Sequence, residues 1–274
     1  MTPHPLAGRR IAITRGAGQT DALAEGIRAL GGEAVVHPAI AICPPDDERA
    51  LDDAVARLHT YAWVVVTSAN AARALGERFS TRAPDAVLGD ARIAAIGPAT
   101  AAALTRHVRA PDLVAPEHVG ASLGATIPVT PGDRVLFPRA ELARETLPFL
   151  LRGRGASVDE VVAYRTVPGP GLDALCAELR ACSVDAALFA SASAVRFTAE
   201  ALKRSAHGHP EGADPDPLED QRRRVAVFCL GPSTAAEARA CGFMVDGIAE
   251  PHTTGGLLHV VARWFELHGR HHDD

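Results

Sequence analysis

Residues 230–238 read LGPSTAAEA. An apolar run, VAVFCL (225–230), stops at Gly231, a proline follows, and the chain turns alanine-rich. Glycine permits a tight turn, and proline fits the first helical turn, where its missing N–H costs nothing. Ser233 and Thr234 then stand at the start of a helix. Residues 96–104, IGPATAAAL, repeat the design with Thr100 in the place of Thr234. The chain therefore builds one kind of strand-to-helix junction twice.

Other segments recur too. GRRIAITR (8–15) matches GDRVLFPR (132–139), and Leu23 and Gly31 keep the same spacing to Leu147 and Gly155. VTSANAAR (66–73) matches FASASAVR (189–196), and VAPEH (114–118) stands to IAEPH (248–252) as IGPATA stands to LGPSTA. The spacing lengthens across KRSAHGHPEGADPDPLEDQRRR (203–224), a polar, Gly/Pro-rich segment that reads as an inserted surface loop. One duplication with one insertion accounts for these matches.

Within each copy, short β-branched runs alternate with alanine-rich helical stretches. Candidate strands are 10–14, 33–37, 63–67, 92–96, 112–115, 134–137, 158–167, 185–190, 225–230 and 244–249. Stretches such as 19–30, 46–58, 141–153 and 232–241 read as helices. Such alternation implies parallel sheets with helices on both faces. The expected fold is α/β, with two similar flavodoxin-like or Rossmann-like lobes. Repeat arithmetic alone places a split near residue 128. Two lobes imply a ligand cleft at the carboxyl ends of the strands.

The hydroxyl-bearing turns are the candidate binding elements. WVVVT leads to Thr67 and Ser68, and DAALFA to Ser191 and Ser193, each followed by a helix. Two readings stand for Ser68, Thr100, Ser191, Ser233 and Thr234. As caps they satisfy orphan helix N–H groups, at about 1 kcal/mol each. As ligands they join a helix N-terminus in holding a carboxylate or phosphate. Arg15 and Arg139, at matching strand ends, add charge to the second reading, and a solvated or structural role is the alternative for each.

Composition narrows the chemistry. The formal charge is −5 with both signs interspersed, so no basic face for nucleic acid is visible. No apolar run approaches the ~20 residues of a membrane span. The opening MTPHPLAGRR lacks a signal-peptide core, which makes the cytoplasm the expected location. Cys43, Cys176, Cys182, Cys229 and Cys241 show no metal spacing, and His207, His209, His271 and His272 sit in polar segments. No metal and no cofactor is expected. Lys203 is the only lysine, which argues against Schiff-base and P-loop chemistry. Three motifs fail on inspection. RIAITRGAGQTD carries Asp21 where a dinucleotide fingerprint needs its third glycine. GASLG (120–124) around Ser122 lacks the entering strand of a nucleophile elbow. PPDDERALDDA (44–54) reads as a helix start with early carboxylates, not a metal cluster.

The ordered set RIAITR, WVVVTSANAAR, AAIGPATA, VLFPRAELARETLPFLLRGRGASVDEVVAYRTVP, LFASASAVR and CLGPSTAAEARACGFMVDGIAEPHTTGGL (229–257) resembles the uroporphyrinogen-III synthase family over nearly the whole chain. The resemblance implies crossed lobes: 1–38 with 168–274, and 43–163. A two-stranded antiparallel linker at about 38–42 and 164–168 would join them, with a hinge there. It implies a cofactor-independent lyase, a hydro-lyase of haem, sirohaem or cobalamin biosynthesis. That enzyme closes hydroxymethylbilane into uroporphyrinogen III with inversion of ring D and loss of water. The substrate's eight carboxylates suit a cleft ringed by hydroxyls and helix N-termini. Tyr164 is the implied proton donor, with a linker tyrosine bonding between lobes as its alternative. Thr100, Thr234, Ser68 and Ser191 fall at the family's cleft positions. Ala190 and Ala192 depart from the family pattern, which has serine or threonine and then proline there. A monomer is implied, with possible hand-over from hydroxymethylbilane synthase. Two other functions stay open: an inactive bilobed tetrapyrrole-binding or regulatory module, and a nucleotide-dependent enzyme.

Overall fold

The structure, a computed structural model, describes residues 4–15, 21–81, 88–117, 119–142, 146–206 and 225–269. The glycines of RIAITRGAGQTD, His118, the four histidines of the polar segments and positions 207–224 of the expected loop lie outside the described residues.

By internal packing the chain forms two units, Met1–Ala41 with Val167–Asp274, and Ile42–Thr166. Unit 1 carries β1 (Arg10–Ile13), α1 (Asp21–Ala29), β2 (Glu33–Val36), α7 (Leu172–Arg180), β9 (Ala186–Phe189), α8 (Ala192–Ala206), β10 (Ala226–Cys229), α9 (Pro232–Ala240), β11 (Gly247–Ile248) and α10 (Thr254–His268). Unit 2 carries α2 (Arg49–Ala56), β4 (Trp63–Val66), α3 (Ala69–Thr81), β5 (Arg92–Ala95), α4 (Pro98–His107), β6 (Leu113–Val114), α5 (Gly120–Thr126), β7 (Arg134–Ala140) and α6 (Thr146–Gly153). Two strands run across the boundaries between the units, β3 (Ile40–Cys43) and β8 (Ser157–Pro168).

The central strands are apolar at every position because helices cover both faces of each sheet. β4 is WVVV and β9 is AALF, and all eight residues are buried. Their side chains alternate between two cores. Val64 and Val66 join one cluster while Trp63 and Val65 join the other. Ala187 and Phe189 part from Ala186 and Leu188 in the same way. The edge strand β2, EAVV, is half-exposed.

The sheet of unit 1 runs β11-β10-β9-β1-β2 and its paired strands are parallel. That of unit 2 runs β3-β8-β7-β4-β5-β6. With β3 set aside, both follow the flavodoxin-like strand order, but their chain order differs. In unit 1 the β1–α1–β2 element comes first. Its repeat partner, β7–α6–β8, comes last in unit 2, so unit 2 is a circular permutation of unit 1 in element order. Register agrees with the repeat: Ile11 pairs with Ala186, and their equivalents Val135 and Trp63 pair with each other.

The helix-to-strand turns of the repeated element also agree. Gly31 and Gly155 both take φ +86°, where a side chain is strained, and each donates its N–H over 2.9 Å to the carbonyl three residues back, of Arg28 and Arg152. Where the chain re-enters unit 1, Gly169 N–H donates to Ala39 O at 2.9 Å and Gly171 N–H to Pro38 O at 3.0 Å. A Cβ on Gly169 would lie 2.2 Å from Pro38 O, so only glycine permits this approach. No helix among the described residues is long and apolar enough to cross a membrane.

Candidate active site

In sheets of this order, ligands meet the carboxyl ends of the strands where the winding reverses. Those places are β1 beside β9 in unit 1 and β7 beside β4 in unit 2. Arg15 follows β1, Ser191 and Ser193 follow β9, Arg139 lies near the end of β7, and Thr67 and Ser68 follow β4. The sequence-derived candidates thus sit at the expected ends of both sheets, each group within its own unit.

Ser68 and Ser191 are helix caps. Ala71 N–H donates to Ser68 Oγ at 3.0 Å at the start of α3, and Ala194 N–H donates to Ser191 Oγ at 3.2 Å at the start of α8. Thr100, Ser233 and Thr234 cap nothing. Gly97 and Gly231 occupy the N-caps of α4 and α9, and no side chain bonds to either helix start. Thr100 is 4% and Thr234 5% exposed, Ser233 is exposed, and none makes a side-chain hydrogen bond among the described residues. The capping role therefore holds at one pair of junctions and fails at the other. At α4 and α9 the first-turn amides stay available for an anion. Thr67 and Ser193 are half-buried, and their hydroxyls make no hydrogen bond among the described residues.

Unit 2 adds a tyrosine. Tyr164, on β8, is 9% exposed, and its Oη lies 3.1 Å from Ser68 Oγ. It lines a pocket of about 160 Å³ with Ala163, with Ile42, Cys43 and Pro44 at the end of β3, and with Asn70 and Arg73 on α3. The other tyrosine is committed elsewhere. Tyr61 Oη donates to Asp159 Oδ2 at 2.7 Å, and the Arg134 guanidinium covers its ring. Burial first, then the Asp159 bond, push its phenol up to about 12. Tyr164, by contrast, lines a pocket.

The two candidate arginines differ. Arg139 Nη1 lies 2.8 Å from Glu160 Oε2, and Arg152 holds the other oxygen of that carboxylate at 2.9 Å. Arg15 has no carboxylate partner among the described residues, and burial lowers its guanidinium below the usual arginine range.

Other candidates resolve into structure. Ser122 Oγ, on α5, accepts from Glu117 N–H at 3.3 Å. From the acidic run, Glu48 and Asp52 pair with Arg78. Burial pushes the Cys176 and Cys229 thiols up to about 11, which suits inert core residues. Among the described residues no three potential metal ligands gather.

Sequence reasoning did not assign Cys43, Asn70 or Arg73 to a site, and it missed Glu160 as the partner of Arg139. No local pattern joins residues more than 90 positions apart, such as Ser68 and Tyr164. The twin carboxylates Asp112 and Asp246 were findable, since they keep the spacing of the GP junctions. They accept from Ile93 and Val227 N–H at 2.7 Å each.

Over residues 21–259 the chain matches the sequence model of a family described as uroporphyrinogen-III synthase HemD. The uroporphyrinogen-III synthase of Synechococcus elongatus is 30% identical over 267 residues, covering 96% of this chain and 98% of that one. Among solved structures, a variant uroporphyrinogen III synthase from Thermus thermophilus superposes with a TM-score of 0.68 at 23% identity, over 95% of this chain and all of that one. The Helicobacter pylori uroporphyrinogen-III synthetase gives 0.58 at 16% identity, over 93% and 99% of the two chains. These two bear on the fold, which they share. The match over most of its length and the Synechococcus relative show that the chain belongs to the uroporphyrinogen-III synthase family.

Proposed function

We propose that this synthase closes hydroxymethylbilane into uroporphyrinogen III, with Tyr164 as the proton donor to the departing hydroxyl. The observation that carries the reading is Tyr164 in the pocket lining, its hydroxyl held by Ser68 and bonded to no carboxylate among the described residues. The leaving oxygen needs a proton and the carbon it leaves needs shielding from water. The buried phenol would supply the proton, and Ile42, Pro44, Ala74 and Ala163 form the apolar part of a lining that also carries Asn70, Arg73, Glu77 and Arg78. Substrate carboxylates would bind the open amides at the starts of α4 and α9, with Thr100, Ser233, Thr234, Thr67 and Ser193 beside them and Arg15 as an unpaired cation. Arg139, Ser68 and Ser191 take structural or positioning roles in this reading.

Catalysis would lie largely in conformation. The unaided chain closes without inverting ring D, so the protein must hold the tetrapyrrole where ring D attacks through its other carbon. By resemblance to the family, the reading includes a monomer in the cytoplasm that can take its substrate from hydroxymethylbilane synthase. The test is to supply freshly generated hydroxymethylbilane, oxidise the products and separate the isomers. Type III isomer is expected, and only type I, as without enzyme, would sink the proposal. Tyr164→Phe should lower kcat about 100-fold and leave the melting temperature within a degree or two.

A further inference from the structure

We infer that Ser68 is a positioning residue for Tyr164, and that its hydroxyl aims the phenol proton at the substrate. The inference rests on the reading of Tyr164 as the donor. A proton count around Ser68 carries it. Ser68 Oγ accepts one bond, from Ala71 N–H at 3.0 Å. Its own proton needs an acceptor, and the Tyr164 Oη at 3.1 Å is the polar atom bonded to it. With Ser68 donating to Tyr164, the phenol proton is left unshared and directed away from Ser68. In the reverse arrangement the phenol spends its proton on Ser68 and the serine proton has no acceptor among the described residues.

The same arrangement supports the step itself. Tyr164 Oη gives its proton to the substrate hydroxyl, the carbon–oxygen bond breaks, and water leaves. The electron pair of the former O–H bond remains on the phenol oxygen. Ring D then attacks through the carbon that carries its bridge, the bridge bond breaks and re-forms at the ring's free α-carbon, and the proton that this carbon loses restores the phenol. While the phenol oxygen is negative, it receives the Ser68 hydrogen bond and faces the N-terminus of the 13-residue helix α3, through its cap. The partner residue in unit 1, Ser191, caps α8 in the same way, and no tyrosine bonds to it.

Capping and positioning separate by substitution. At an N-cap, glycine costs only a few tenths of a kcal/mol, while alanine costs about 1 kcal/mol. Glycine at position 68 therefore keeps the helix start and deletes the hydroxyl. We expect Ser68→Gly and Ser68→Ala to lower kcat alike, about tenfold, with KM changed less than twofold. Ser68→Thr should restore most of kcat, and Ser68→Gly should cost nothing more in a Tyr164→Phe background. Normal kcat in Ser68→Gly beside a slow Tyr164→Phe enzyme would overturn this inference and leave the donor role standing. A raised KM at unchanged kcat would also overturn it, by making Ser68 a substrate ligand. Unchanged kcat in Tyr164→Phe would remove the donor role and this inference with it.

Discussion

Arg15 follows β1 and Arg139 lies near the end of β7, at equivalent positions of the two units. Arg139 shares Glu160 with Arg152, and the side chains of Arg139 and Glu160 are 18% and 23% exposed. Arg15 is half-buried with no carboxylate partner among the described residues, and desolvation lowers its guanidinium. A duplicated fold has thus bonded one arginine to a carboxylate and left the other without one among the described residues. An unpaired, half-buried cation costs stability that a binding role would justify. Replacing each by methionine, which keeps the apolar stem, should move stability in opposite directions. Arg139→Met is expected to lose about 2 kcal/mol, read by urea unfolding, because Glu160 loses one of its two charge-assisted partners. Arg15→Met should unfold at equal or higher urea and raise KM about tenfold, the worth of one bond to a carboxylate. Loss of stability in both would erase the contrast and return Arg15 to the scaffold.

The carboxylates Asp112 and Asp246 sharpen the contrast, with a smaller effect. Each accepts from the backbone of the neighbouring strand at 2.7 Å. Arg109 bonds Asp112 and holds it below the usual carboxylate range, whereas burial raises Asp246 above it. The signs follow. A depressed carboxylate contributes stability above its unfolded value, near pH 4, and loses it as pH falls through the folded value. A raised one contributes most below its unfolded value and loses that contribution as pH rises through the folded value. Asp246→Asn keeps an acceptor for Val227 N–H and should raise the melting temperature at pH 7, with the gain fading towards pH 4. Asp112→Asn should lower it at pH 7, with the loss fading in acid. Parallel pH profiles for the two variants would show that the Arg109 contact carries no weight.

Much of this molecule is legible as pattern. WVVV, AALF and AVFC announce strands covered on both faces, and Gly31 and Gly155 take equal dihedral angles at spacings the repeat already showed. Sheet membership is different. It depends on pairings such as Val64 with Leu136, which are non-local, so repeat arithmetic sees equal halves where the structure has permuted units. Hydroxyl roles follow the same division. Both readings of a Ser or Thr near a helix start are chemically sound, and only the local turn decides between them. Ser68 and Ser191 reach an amide, while Gly97 and Gly231 displace Thr100 and Thr234 from the cap.

The smallest difference separates the two capping serines. Ser191 bonds Ala194 N–H at 3.2 Å, and α8 behind it buries Ala194, Val195, Ala199 and Leu202 in the core of unit 1. Its loss should therefore register as stability. Ser191→Ala should cost about 1 kcal/mol and Ser191→Gly a few tenths. For stability alone, position 68 should show the same alanine-to-glycine gap, since Ala71 N–H at 3.0 Å makes the equivalent cap. A Ser68→Gly loss well above a few tenths would mean that the Tyr164 bond also stabilises the fold. The hydroxyl would then act in folding as well as in turnover, and unit 2 would differ from unit 1 in its scaffold as well as in its chemistry.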